Sequence, residues 1–142
     1  SANKEAMSRM IKLQYYITAC SNDAMQYAVL TAINEADDYP DEMCAEFKSR
    51  RDLICSRLNA MPGVECHIPE GAFYVFPKVN VPGMTSEEVA IELLKGGVLC
   101  SPGSAFGPSG EGHLRFAYTI SREDIALGMD KTEKVLMRLR GD

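Results

Sequence analysis

The chain has 142 residues, enough for one domain with a core of its own. Its net charge of −5 and its lack of any basic run exclude a nucleic-acid partner. No apolar stretch is long enough to span a bilayer, and residues 1–6 lack the hydrophobic segment of a secretory signal.

The first segment, Lys4 to Tyr16, reads as a helix with a weak pattern. Met25, Ala28, Val29, Ala32, Ile33 and Ala36 then recur at three- and four-residue spacing, which predicts an amphipathic helix from Asn22 to Ala36. Pro40 suits a first turn, and Asp41 and Glu42 suit the positive end of the helix dipole. The helix that follows should reach Met61 and bury Met43, Phe47, Ile54 and Leu58. Lys48, Arg50, Arg51 and Arg57 fall on its polar side, as a solvated face. Pro62-Gly63 ends it. Val64 to Cys66 and Ala72 to Phe76 read as short strands.

Thr85-Ser86-Glu87-Glu88 is a capping box, backed by an apolar stripe of Val89, Ala90, Leu93 and Leu94. Gly96-Gly97 stops that helix. Val98 to Cys100 and His113 to Tyr118 are predicted as two more strands. Between them, Ser101, Pro102, Gly103, Gly107, Pro108, Gly110 and Gly112 favour turns over a ladder. Ser121, with Asp124 three residues on, caps the last helix, whose stripe is Ile125, Met129, Leu136 and Leu139. The order of elements predicts an α+β fold. A small mixed or antiparallel sheet is covered on one face by helices and preceded by N-terminal helices, as a single domain over 1–142.

Alternation along His113 to Tyr118 puts Leu114, Phe116 and Tyr118 on one face and Arg115 on the other. A guanidinium fixed on a strand beside a Gly-rich loop suits two-point capture of a carboxylate or phosphate. The competing reading is an arginine paired with a structural acid. The five cysteines, Cys20, Cys44, Cys55, Cys66 and Cys100, are scattered, without a C-x-x-C pair. They read as reduced, mostly buried thiols of a cytoplasmic protein. His67 and His113 stand outside any metal-ligand cluster, so no metal is expected.

Several of these segments together carry a resemblance. Pro69-Glu70-Gly71-Ala72-Phe73-Tyr74 resembles the PEGAFY segment of class I and II aminotransferases, the pyridoxal-phosphate enzymes of fold type I. Pro102-Gly103-Ser104-Ala105-Phe106-Gly107 is similar to their PG-x-x-FG loop. Gly112 to Phe116 resembles the strand that carries their substrate-carboxylate arginine. Gln26-Tyr27-Ala28 matches a Q-x-A helix start, and Arg51 sits where an R-R/D pair is common. The matches keep their order from about Met7 to Leu139.

The resemblance implies the C-terminal (small) domain of an aspartate aminotransferase-like enzyme. The parent would move an amino group between an amino acid and a 2-oxo acid as a homodimer. Arg115 would bind the substrate α-carboxylate, Gly71 would sit where backbone passes close to substrate, and Phe106 would belong to the loop beside the site. The cofactor, pyridoxal 5'-phosphate, belongs to the parent, and none is expected in this chain. Its lysine, the acid that pairs its pyridinium nitrogen and the Asn-Pro segment all lie upstream in the family. This chain has no Asn-Pro. Ser1-Ala2-Asn3-Lys4 imitates the lysine motif, but Glu5 to Arg9 holds no glycine, so the G-x-R-x-G that should follow is missing. The chain alone is therefore expected to be inactive, and to depend on the large domain and the second subunit. Two other readings are a stand-alone binding or interaction module and one half of a split enzyme.

Overall fold

The structure, a computed structural model, describes residues 3–36 and 38–141. Where the sequence reads as one domain over 1–142, the chain groups into two compact units, Ser1–Glu42 and Met43–Asp142. The first holds α1 (Lys4–Thr18) and α2 (Asp23–Glu35). The Asn3 side chain accepts from the Ala6 N–H, and the Asn22 side chain accepts from the Met25 N–H, so each helix has a side-chain N-cap. No residue of either helix is buried. Met25, Val29 and Ile33, the expected inner stripe of α2, are all more than half exposed. The periodicity sets the helix, and among the described residues of α2 none is buried.

The second unit is α+β. α3 (Tyr39–Ala60) begins in the first unit, with Pro40, Asp41 and Glu42 in its first turn, and runs into the second. β1 (Val64–Glu65) pairs antiparallel with β3 (Lys78–Val79). β2 (Tyr74–Val75), β5 (Leu114–Ala117) and β4 (Ser101–Pro102) form an antiparallel sheet in the order β2-β5-β4. A bridge between Lys78 and His113 joins the two ladders. α4 (Ser86–Lys95) and α5 (Arg122–Arg140) complete the unit. Ile54 and Leu58 of α3, Val89 and Leu93 of α4, and Ile125 and Leu136 of α5 form one buried cluster with the inward face of the sheet, so the helices cover that face.

Both predicted caps are present. Thr85 and Glu88 make the reciprocal capping box, and the Ser121 hydroxyl accepts from the Asp124 N–H. Several details differ from the sequence reading. Pairing begins at Ser101, three residues after Val98, because the Val98 N–H bonds back to the Leu93 carbonyl and prolongs the end of α4. Pro102 is tolerated in β4 because that strand is an edge, where a missing N–H can cost no ladder bond. Leu94 points outward, and Cys20 and Cys44 are exposed rather than buried. β3 escapes the sequence because two residues cannot show an alternation.

The 103–112 loop is held tightly. Gly103 and Gly110 touch backbone to backbone, and a Cβ on Gly103 would lie 2.0 Å from the Gly110 carbonyl oxygen. The Gly103 N–H donates to the His113 carbonyl at 2.8 Å. The Glu111 carboxylate accepts from the Ser86 N–H at 2.6 Å and the Ser86 hydroxyl at 3.0 Å, which ties the loop to the first residue of α4. Backbone N–H donors from Ser86 and Gly112 hold the Glu111 carboxyl below its usual range. Glu46 on α3 accepts from Arg122 on α5 and from Arg50, and these two bonds lower its pKa to about 2.

Gly103→Ala is expected to destabilise the chain by about 1–3 kcal/mol, because the obstacle is backbone and cannot rotate away; urea unfolding measures it. The depressed carboxylates set an acid limit. The Glu46 contribution is complete above the ordinary value of 4.5 and is lost as pH falls through that value toward about 2, and that of Glu111, also lowered, is lost in the same direction. Melting temperature followed from pH 7 to pH 3 should fall, and the slope should be shallower in Glu46→Gln. With both first-unit helices exposed, the chain should also self-associate, read by light scattering over a dilution series.

Candidate functional site

β5 is the central strand of its sheet, so its residues have neighbours on both sides. Leu114 and Phe116 face the core, and Tyr118 just beyond them is buried too. Arg115 is half-buried on the opposite face. The register places Ser101 directly across from Arg115 on β4, and Tyr74 across from Ala117 on β2. Tyr74 is therefore a diagonal, same-face neighbour of Arg115. The loop after β4 brings in a second ring through its short 3-10 turn at Gly103–Phe106.

The result is a guanidinium in contact with two aromatic rings. The Arg115 Cζ lies 4.4 Å from the centre of the Tyr74 ring and 4.4 Å from that of Phe106. Each contact is a cation–π attraction. Phe106 meets Phe76 edge-on at 5.8 Å, and Phe76 stacks on the His113 ring at 5.1 Å with only 9° between planes. A row of planar groups thus runs from Tyr74 through Arg115, Phe106 and Phe76 to His113.

The Arg115 edge is almost unused. Its one polar contact is a long donation, 3.5 Å, to the Ser101 hydroxyl. Among the described residues no carboxylate forms an ion pair with it. Every other arginine is engaged. Arg140 donates to the carbonyls of Pro62, Gly63 and Asn80, and the rest have acidic partners. The planar fork of a guanidinium presents two parallel N–H groups that match the two oxygens of a carboxylate.

The predicted site residues do not all meet. Arg115 and Phe106 are in contact. Gly71 lines a cavity of about 400 Å³ with Met43, Phe47, Arg51, Pro69 and Tyr118, and neither Arg115 nor Phe106 lines it. A Cβ on Gly71 would meet nothing within 4 Å. The strain sits one residue later, at Ala72, whose φ is +61°. The Ala72 carbonyl accepts from the Tyr118 hydroxyl at 2.9 Å, which fixes the turn from the buried side. Arg51 donates to the Pro69 carbonyl at 3.2 Å and so holds the start of the same segment against α3. The sequence reading missed Tyr74 and Ser101 as neighbours of Arg115, because strand register decides them.

Among the described residues no three His, Cys, Asp or Glu side chains are grouped to hold a metal, and no helix is long and apolar enough to cross a membrane. The groups recorded in contact with Arg115, namely Tyr74, Phe106 and Ser101, include neither a lysine nor a carboxylate.

Residues 1–131 match the family model for aminotransferase class I and II. The chain is 38% identical over 133 residues to an aspartate aminotransferase of Pyrococcus abyssi, covering 92% of this chain and 34% of that protein. It is 41% identical to a probable aspartate aminotransferase of Methanocaldococcus jannaschii, over 91% of this chain and 35% of the other. A crystal structure of an aromatic aminotransferase from Pyrococcus horikoshii matches at a TM-score of 0.85 and 37% identity, over 92% of this chain and 36% of that one. The chain spans about a third of the length of these relatives. It belongs to the aminotransferase class I and II family.

Proposed function

We propose that residues 1–142 form the substrate-carboxylate end of a pyridoxal-phosphate-dependent aminotransferase, the C-terminal domain of an enzyme that moves an amino group between an amino acid and a 2-oxo acid. The observation that carries this reading is the half-buried Arg115 guanidinium, in contact with the Tyr74 and Phe106 rings and without an ion-pair partner among the described residues. Such an edge binds the α-carboxylate at two points and so fixes how the amino acid lies. The rings keep water from part of the guanidinium, which strengthens the contact. Phe106 acts through the loop, and the Pro69–Phe73 segment with Gly71 forms the neighbouring wall.

Bound pyridoxal phosphate supplies the electron sink of the parent reaction. In this reading its lysine and acidic partner come from the rest of the parent protein, together with a second subunit of a homodimer. Residues 1–142 alone then bind carboxylates but do not transaminate.

In the full-length aminotransferase, Arg115→Lys keeps the charge but loses the planar fork. It should lower kcat/KM for amino acids by about 30- to 150-fold, the equivalent of about 2–3 kcal/mol, with cofactor absorbance unchanged. Unchanged kcat/KM would make Arg115 a packing residue. The 142-residue chain, titrated with pyridoxal phosphate and reduced with borohydride, should show no saturable adduct. A stoichiometric adduct on one lysine, Lys4 being the first suspect, would reverse the inactivity of the chain.

A further inference from the structure

Cys55 and Cys66 play no part in the carboxylate site, yet they are the two cysteines that meet. Cys55 lies on α3 and Cys66 just after β1, and their sulfurs are 3.8 Å apart. Both thiols are free and buried. Neither is an isolated packing residue, because the chain around them is tied to α3 at three levels. Asn59 clamps the Cys66 backbone, accepting from its N–H at 2.8 Å and donating to its carbonyl at 2.9 Å. Arg51 holds the Pro69 carbonyl. The Phe47 ring packs on Phe73 at 6.3 Å. Cys66 also lines an open cavity of about 390 Å³ with Glu65, His67, Phe76, Lys78 and His113.

We infer that Cys55 and Cys66 are a dithiol that closes reversibly to a disulfide, a covalent latch between α3 and the Cys66–Phe73 segment that leads into β2 and Tyr74. The sulfurs must approach by about 1.8 Å to reach bonding distance. The Asn59 clamp holds the backbone, so side-chain rotation supplies the movement. The oxidant is a small-molecule disulfide. The Cys66 thiolate attacks one sulfur of that disulfide, and one thiolate leaves. Cys55, once deprotonated, attacks the Cys66 sulfur of the mixed disulfide and expels the second. Two protein thiols become one disulfide, and one small disulfide becomes two thiols. Burial pushes the Cys66 thiol up to about 12 and also raises Cys55, so the exchange is slow in the folded chain although the pair is preformed.

The test measures equilibrium, so slow access does not confuse it. The 142-residue chain, with Cys20, Cys44 and Cys100 replaced by Ser, is unfolded in guanidinium chloride. It is then equilibrated with a fixed ratio of reduced to oxidised glutathione, either in native buffer or still in denaturant. Trypsin cuts at Arg57, between the two cysteines, so a linked pair of peptides, 52–57 and 58–78, reports the disulfide. The effective concentration of the pair should be at least about tenfold higher in native buffer than in denaturant, and the oxidised chain should melt at a higher temperature. An effective concentration that is equal or lower in native buffer overturns the latch. Glutathione adducts on Cys55 or Cys66 in place of the link overturn it as well. If the triple variant does not fold by circular dichroism, Cys100 is kept and followed in its own peptide, 96–115.

Discussion

β5 is hydrogen-bonded on both sides, and everything that faces Arg115 is placed by that constraint. The antiparallel register to β4 sets Ser101 opposite the arginine, and the register to β2 sets Tyr74 on its diagonal. A slip of one residue in either pairing would turn Arg115 into the core and Leu114 or Phe116 out of it. Burial of Leu114, Phe116 and Tyr118 against three helices opposes that slip, so the packing energy of the core also sets the direction of the guanidinium. The site is precise because the face behind it is apolar.

The loop between β4 and β5 illustrates how a Gly-rich stretch can be rigid. Its composition favours turns and positive φ, and Gly107 and Gly112 do adopt positive φ. Yet Gly103 and Gly110 are used for close approach rather than freedom, and the Glu111 carboxylate anchors the loop to the start of α4. A carboxylate at a helix N-terminus meets unsatisfied N–H groups and the positive end of the dipole. Phe106 is thus carried on a braced turn, in contact with both Phe76 and Arg115.

Much of this was legible in the residues. Strong periodic patterns and caps located the helices, because those signals are local: Thr85 with Glu88, Ser121 with Asp124, Pro62-Gly63 after α3. Arg115 was legible because a lone cation alternating with Leu114 and Phe116 can have only one orientation. What the residues did not disclose is pairwise. Tyr74, Ser101 and the two-residue β3 depend on which strands meet, and no single-strand pattern encodes that. The exposure of Met25, Val29 and Ile33 was hidden for the opposite reason. Periodicity reports that a helix has an apolar face, and says nothing of whether a surface exists to cover it.

The electrostatics of the arginines separate structure from function. Glu46 draws Arg50 within α3 and Arg122 from α5, and Arg57 reaches Asp130, so Arg122 and Arg57 link α3 to α5. Exposed pairs of this kind contribute little each, and their value lies in orienting elements. Arg115 is more buried than Arg122 or Arg9, and a half-buried cation without an anion costs free energy that an acid on a neighbouring strand would remove. The sheet offers positions for such an acid at Ser101 and Tyr74, and neither holds one. Two ring faces offset part of that cost, on the order of 0.5–1 kcal/mol each, while leaving the N–H edge open. An acid would have stabilised the fold more and closed the edge. Rings in place of an acid leave the guanidinium edge available to a carboxylate from outside the chain, as the proposed role of Arg115 needs.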